Sequence, residues 1–366
     1  MAENPISETL GCDHLILLVG TNPLPNFVVA DYFLQNNSKL QTIWLLYSEE
    51  NNFQASTNRQ AKKLETLLRK RWQGKHVSLK FPLEKISLTD VSDAATILRE
   101  IENKMLRGWQ ANQSFHLNYT GGTKAMATHV YRRLQELQKR GQHPFSYLDA
   151  NNFRLVVDNY GIERFVGEDG IETDDLRKKV QVEFEDLIAL HDFVRKNHDS
   201  PANLEEAKQL FQQYIQPGKK ADIKDGHWLE TYLAQQIQEK LGSKLNNPDG
   251  VLQNWEIRKS TWRTYFELDI ILLHGYHLTG LSSYKGSKKP EAKNKGFEII
   301  QRCRQIGGDE ARAIIVAGLE KPHTDLLQEE LEYETGCDRK NVLALGLADL
   351  RNEESYLNKI EKFVFD

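Results

Sequence analysis

Along the first half of the chain, short apolar runs alternate with stretches whose apolar residues recur at helical spacing. The runs at 14–19, 42–47, 77–80, 115–118 and 145–148 predict strands, the first of them apolar enough to be buried on both faces. Helices are predicted over 27–34, 57–72, 94–106 and 124–140. Strands that recur between helices imply βαβ units and a mostly parallel, Rossmann-like sheet. In such a sheet, ligands sit beyond the carboxyl ends of the strands, so the loops after the strands are the places to search for chemistry.

Past residue 150 the pattern changes. Two short strands flank 159–161 as a hairpin, and 167–179 is charged and rich in turn formers. The span 180–214 reads as helical, broken at 199–201, and 216–218 punctuates the chain before a helix over 226–241. Strands follow at 253–262, 265–273 and 277–283, then a helix over 291–306 and a strand at 313–317. The order helix, three strands, helix, strand differs from the first half, so we expect two α/β domains, 1–166 and 218–366, with 167–217 connecting them.

Composition narrows this only slightly. With 366 residues, 39% hydrophobic and 27% charged, the chain can build two separate cores. A net charge of -4 argues against a whole-surface grip on nucleic acid but not against a local basic groove. The three cysteines, Cys12, Cys303 and Cys337, form no CxxC, so neither a disulfide framework nor a zinc knuckle is supported. The apolar run at 15–19 is too short to span a bilayer and lacks the flanks of a signal peptide, and no membrane segment is expected. The expected compartment is the cytoplasm.

Two strand-end loops carry the chemistry of the first half. One is Gly20-Thr21-Asn22-Pro23-Leu24-Pro25-Asn26; the other is Asn118-Tyr119-Thr120-Gly121-Gly122-Thr123-Lys124. Paired glycines admit a ligand close to the backbone, and amides at a helix start beside Thr120, Thr123 and Lys124 suit phosphates. Spacing alone equally permits a tight strand-to-helix turn with a solvated lysine, and the P-loop spacing is absent. The motif, continued by Ala125-Met126, resembles the CARF domain of type III CRISPR ancillary proteins over about the first 150 residues. That resemblance implies a cyclic oligoadenylate ligand held by Thr21, Asn22, Thr120, Gly121, Gly122, Thr123 and Lys124, with Tyr47, Ser48 and Asp149 on neighbouring strand ends. A packed aromatic and a capping carboxylate remain the alternatives for Tyr47 and Asp149. A symmetric cyclic ligand fits a two-fold axis, so a homodimer is expected.

The second half offers carboxylates and a lysine suited to metal-assisted phosphodiester hydrolysis. Glu230 lies on a predicted helix, Glu267 and Asp269 share one face of a predicted strand, and Lys285 ends another. Two carboxylates at the rim of an edge strand are the plain alternative. The order of a helix with Glu, a strand with Asp, a strand ending x-x-Lys and a helix resembles the PD-(D/E)xK nuclease fold, over about 219–317. Together the halves resemble CARF–nuclease fusions of the CRISPR ancillary nuclease 2 type, activated by cyclic tetra-adenylate. The resemblance implies cleavage of single-stranded RNA or DNA, or nicking of supercoiled DNA, with Mg²⁺ or Mn²⁺ on Glu230, Glu267 and Asp269. Where the family pattern has an acid two residues before the lysine, this chain has Ser283. Glu267, or Glu298 on the following helix, is expected to compensate; otherwise the site is weakened and the chain is a messenger-binding sensor without catalysis. Cleavage of the messenger by the first domain itself stays open.

The basic stretch Lys285, Lys288, Lys289, Lys293, Lys295, Arg302 and Arg304 reads as a local groove for a phosphate backbone, against the alternative of a solvated lysine loop. Of Trp255, Trp262, Tyr265 and Tyr284, only Tyr284 is expected to stack on a base.

Overall fold

The computed structural model describes residues 11–81, 83–110, 112–138, 144–159, 162–165, 175–198, 202–217, 227–247, 250–261, 263 and 265–366. The chain divides into two compact units at Val180/Gln181.

The first unit runs β1 (His14–Leu18), α1 (Leu24–Asn36), β2 (Thr42–Ser48), α2 (Asn58–Trp72), β3 (Glu84–Leu88), α3 (Ala94–Lys104), β4 (Phe115–Asn118), α4 (Lys124–Leu137), β5 (Phe145–Asp149), β6 (Arg154–Asn159) and β7 (Ile162–Phe165). The strands form one sheet in the order β3-β2-β1-β4-β5-β6-β7, parallel through β5 and closed by an antiparallel pair. Every residue of β1 is buried, as its central place requires. The order reverses between β1 and β4, so the loops after these two strands lie side by side at the switch point. On α1, fully buried Asp31 pins α2: Arg71 Nε lies 2.7 Å from its carboxylate and Trp72 Nε1 donates to it at 2.6 Å. Asp93 caps α3 by accepting the Thr96 N–H at 2.7 Å.

The second unit runs α5 (Phe184–Leu190), β8 (Phe193–His198), α6 (Leu204–Tyr214), α7 (His227–Leu241), β9 (Val251–Lys259), β10 (Phe266–His274), β11 (His277–Tyr284), α8 (Lys289–Gly307), β12 (Arg312–Ala317), α9 (Lys321–Thr335), β13 (Val342–Leu345), α10 (Leu347–Leu350) and α11 (Glu353–Phe365). Its sheet has the order β13-β12-β11-β10-β9-β8, antiparallel from β8 to β11 and parallel from β11 to β13. One core forms where α6, α7 and α11 cover Ile270, Leu272, Leu281, Ile314 and Val316. Within it Phe211 and Tyr232 stack with ring centroids 3.9 Å apart. The outer strand β13 is met from the side by Gln328 of α9, which donates to Val342 O at 2.9 Å and accepts from the Ala344 N–H at 2.6 Å.

Two expectations need correction. In the segment expected to connect the domains, residues 175–180 group with the first unit and 181–217 with the second. Within it, 193–198 is a strand paired with β9 rather than part of a helix. Arg195 and Lys196 hid its extended pattern, because their cationic heads lie over Trp255 and Tyr265, 4.2 and 3.4 Å from the ring centroids. The strand expected at 77–80 lies instead at β3, and Val77 is almost fully exposed. The turns expected at 160–161, 199–201 and 218, the start of the helix at 226, all of 167–174 and Trp262 lie outside the described residues. No helix among the described residues is long and apolar enough to cross a membrane.

Candidate functional sites

At the switch point of the first unit, backbone meets backbone. A Cβ on Gly121 would fall 2.1 Å from Leu18 O, and one on Gly20 would fall 3.1 Å from Gly122 N. Gly122 itself has φ +74°, the left-handed region that favours glycine. The loops after β1 and β4 are therefore interlocked in a way only glycines allow. Immediately after them Thr123 caps α4, its hydroxyl accepting the Met126 N–H at 3.2 Å. This places a helix N-terminus, with its partial positive charge, at the crevice. Thr21, Thr123 and Lys124 are exposed there, while Asn22, Thr120, Gly121 and Gly122 are half-buried.

Several residues expected to touch a ligand hold the loops in place. Asn22 Oδ1 accepts the Leu24 N–H at 3.0 Å, and Thr120 Oγ1 donates to Asn118 at 2.7 Å while accepting the Leu148 N–H at 2.6 Å. Ser48 is buried and donates to Ala55 O at 2.8 Å, joined by Thr57, whose hydroxyl donates to Val19 O at 3.0 Å. Asp149 accepts from Asn151 N, Asn152 N and Asn152 Nδ2, so its carboxylate caps the turn after β5. Tyr47 is half-buried on β2. Asn26 belongs to the same crevice. It is fully buried, its Nδ2 donates to Leu18 O at 3.0 Å, and its Oδ1 has no hydrogen-bond partner among the described residues. That oxygen lies 3.1 Å from where a Cβ on Gly121 would be. An asparagine in the first turn of a helix has no signal in periodicity.

In the second unit, Glu230 of α7 and Asp269 of β10 converge on Ser283 of β11. Ser283 donates its hydroxyl to Glu230 Oε1 at 3.3 Å and its N–H to Asp269 Oδ2 at 2.9 Å. The neighbouring Ser282 hydroxyl also donates to Asp269 Oδ2, at 2.8 Å, and His227 Nδ1 lies 3.2 Å from Glu230 Oε2. Ser282 and His227 escaped the sequence reading, although His227 stands one helical turn before Glu230.

Burial, then the charge of Asp269 and that of Glu267, lifts Glu230 from 4.5 to about 7, with His227 acting in the opposite sense. Burial also raises Asp269, helped by Glu298 and opposed by the Ser283 and Ser282 donors and by Lys295. A buried carboxylate pair of this kind favours either a shared proton or a cation. The donor set therefore fits a hard divalent ion on Glu230 and Asp269.

Glu267 and Glu298 are exposed and act on the pair through their fields. Among the described residues no three His, Cys, Asp or Glu side chains gather closely enough to hold a metal ion. The serine thus works as a bridging donor. Lys285 is half-buried, with its carbonyl accepting the Tyr214 hydroxyl at 3.1 Å, and the lysine whose charge acts on Asp269 is Lys295 of α8.

The basic stretch is not an open groove along its length. Lys293 pairs with Glu330 at 3.0 Å and Glu334 at 2.6 Å, and Lys289 also pairs with Glu330. Lys288 pairs with Glu291 at 2.9 Å, and Lys295 lies 3.7 Å from Glu298. Acidic residues on α9, beyond the reach of the motif, neutralise much of the run. Tyr284 donates its hydroxyl to Glu291, and Trp255 is buried against Phe184.

No protein-family model matches this chain, and no curated protein sequence matches it. Solved structures do. Protein VC1899 from Vibrio cholerae superposes with a TM-score of 0.63 at 12% identity, covering 96% of this chain and 98% of that one. Can2 from Sulfobacillus thermosulfidooxidans, in complex with cyclic tetra-adenylate, superposes with a TM-score of 0.60 at 14% identity, covering 99% of this chain and all of that one (100%). The chain thus shares the fold of both proteins over nearly its whole length, two α/β units in succession, the first with a Rossmann-like, mostly parallel sheet.

Proposed function

We propose that this protein is a metal-dependent endonuclease switched on by a cyclic oligoadenylate, cyclic tetra-adenylate in the first instance, in type III CRISPR antiviral defence. The observation that carries the catalytic half is the meeting of Glu230 and Asp269, from a helix and a strand, on the single residue Ser283. The sensing half is supported by the glycine-interlocked crevice between the loops after β1 and β4, in a fold shared with a protein solved in complex with cyclic tetra-adenylate. Two copies of the chain, paired isologously, would offer those loops twice to a symmetric ring.

In this reading Glu230 and Asp269 hold Mg²⁺ or Mn²⁺, with Glu267 or Glu298 adding negative charge from the rim. The ion supplies Lewis-acid stabilisation of the phosphoryl oxygens and an activated water. His227 orients Glu230, Ser282 orients Asp269, and Lys285 and Lys295 offer positive charge to the phosphodiester of RNA or DNA. Activation requires tighter messenger binding in the cleaving state than in the resting one.

The test is cleavage of single-stranded RNA, single-stranded DNA and supercoiled plasmid, with Mg²⁺ or Mn²⁺, with and without cyclic tetra-adenylate. Activity that rises with the messenger and disappears in Asp269→Ala is the expected result. Equal activity without messenger would refute the switch. A second reading, a sensor that binds the messenger without cleaving, is favoured by the neutral Ser283 and the two-carboxylate donor set. Messenger binding with no cleavage under either metal would establish it.

A further inference from the structure

A cavity of about 570 Å³ lies in the second unit beside α9, β13 and α11. It belongs to a different part of the sheet from the carboxylate pair, because β13 is two strands removed from β11. Its volume falls within the range of small-ligand sites, roughly 300–1,000 Å³. Arg312, Lys321, Arg339, Lys340, Lys359 and Lys362 line it, against the carboxylates of Asp325, Asp349 and Asp366. Asp349 is already engaged: it accepts the Gly346 N–H at 2.9 Å and pairs with Lys359. Arg339 lies 3.9 Å from Glu332, and Lys340 lies 3.9 Å from Asp338. The lining is therefore cationic in a chain whose net charge is -4.

The remaining wall is apolar and well anchored. Val342, Leu343, Ala344 and Ala348 contribute to it together with Phe363, whose ring centroid lies 5.6 Å from the Arg312 guanidinium carbon. Arg312 donates to Phe363 O, tying the end of α11 to the start of β12, and Gln328 fixes the Val342–Ala344 backbone from α9. Cations beside an apolar surface and one aromatic residue match a ligand with a clustered negative charge and an apolar part such as a base. A purely anionic ligand would leave the apolar wall unused, and a purely apolar one would gain nothing from the cations.

We propose that this cavity is a second ligand site that takes a nucleoside polyphosphate, the phosphates facing Lys321, Lys362 and Arg339 and the base lying against Phe363 and Ala348. Lys321 and Lys362 are exposed, so reversing their charge leaves the core intact.

The experiment is calorimetric titration of the full chain with ATP, adenosine and tripolyphosphate at physiological salt. Saturable ATP binding is expected, weakened about tenfold by Lys321→Glu and again by Lys362→Glu, and unchanged by Lys124→Ala in the first unit. Absence of saturation would overturn the proposal, as would binding that survives both reversals or disappears with Lys124→Ala. Tripolyphosphate binding as tightly as ATP would overturn the role given to Phe363. Circular dichroism of each variant confirms that the chain remains folded.

Discussion

The two candidate sites solve opposite problems. The crevice of the first unit is built from main chain: glycines let two loops interlock, side chains such as Asn22 and Thr120 are spent holding those loops, and Asp149 caps the turn after β5. The site of the second unit is built from side-chain charge, with two carboxylates brought together against their mutual repulsion. A backbone site is broken by adding atoms, whereas a charge site is broken by removing them. Substitutions of the two kinds should therefore give separable failures.

The largest effect is expected from Asp269→Ala, which takes away one of the two converging carboxylates. Cleavage should fall about 10³-fold or more, with messenger affinity unchanged. Parallel cleavage assays and messenger titrations check this, and loss of both properties together would erase the contrast.

Next comes Gly121→Ala. The added Cβ would meet Leu18 O at 2.1 Å, so the loops must part. A loss of about 3 kcal/mol from the first unit is expected, with weaker messenger binding, read by thermal denaturation and titration. An unperturbed melting curve would show that the interlock is slack.

A third test uses pH. Glu230 is lifted from 4.5 to about 7, first by burial and then by Asp269. The folded chain consequently keeps a proton that the unfolded chain releases, so this stabilisation is full below about pH 4.5 and is lost as pH rises through about 7. It is worth about 3 kcal/mol across that window. Denaturant titrations without divalent ion should show the decline, Glu230→Gln should flatten it, and Mg²⁺ should offset it at the alkaline end. A wild-type chain without the decline would remove the repulsion from the comparison.

The smallest effect is expected at the turn after β5. Asp149→Ala removes a cap for three donors and should cost the first unit about 1 kcal/mol, measured by chemical denaturation, with cleavage by the second unit unaltered.

The sequence revealed these regions unevenly. The buried run of β1 and the Gly121-Gly122 turn were legible because burial on both faces and paired glycines leave local signatures. Asp269 was legible because carboxylates on an otherwise apolar strand are costly without a reason, and Glu230 because the order of elements around it resembles the PD-(D/E)xK fold. β8 was not, since its extended pattern is masked by Arg195 and Lys196 lying over aromatic rings. Asn26 and Ser282 were missed because their roles come from partners brought near by the fold, whereas His227 stands one helical turn before Glu230 and a lone histidine on a helix does not mark itself. The basic stretch misled for the same reason: Glu330 and Glu334, which pair with Lys289 and Lys293, lie on a helix about forty residues further on.

The amide of Gln328 has a consequence beyond ligand binding. By taking the outward carbonyl of Val342 and the outward N–H of Ala344, one side chain imitates the neighbour that an outermost strand lacks. A stray extended peptide finds those docking points occupied, so this border resists strand exchange and fibrous self-assembly even when such chains crowd together.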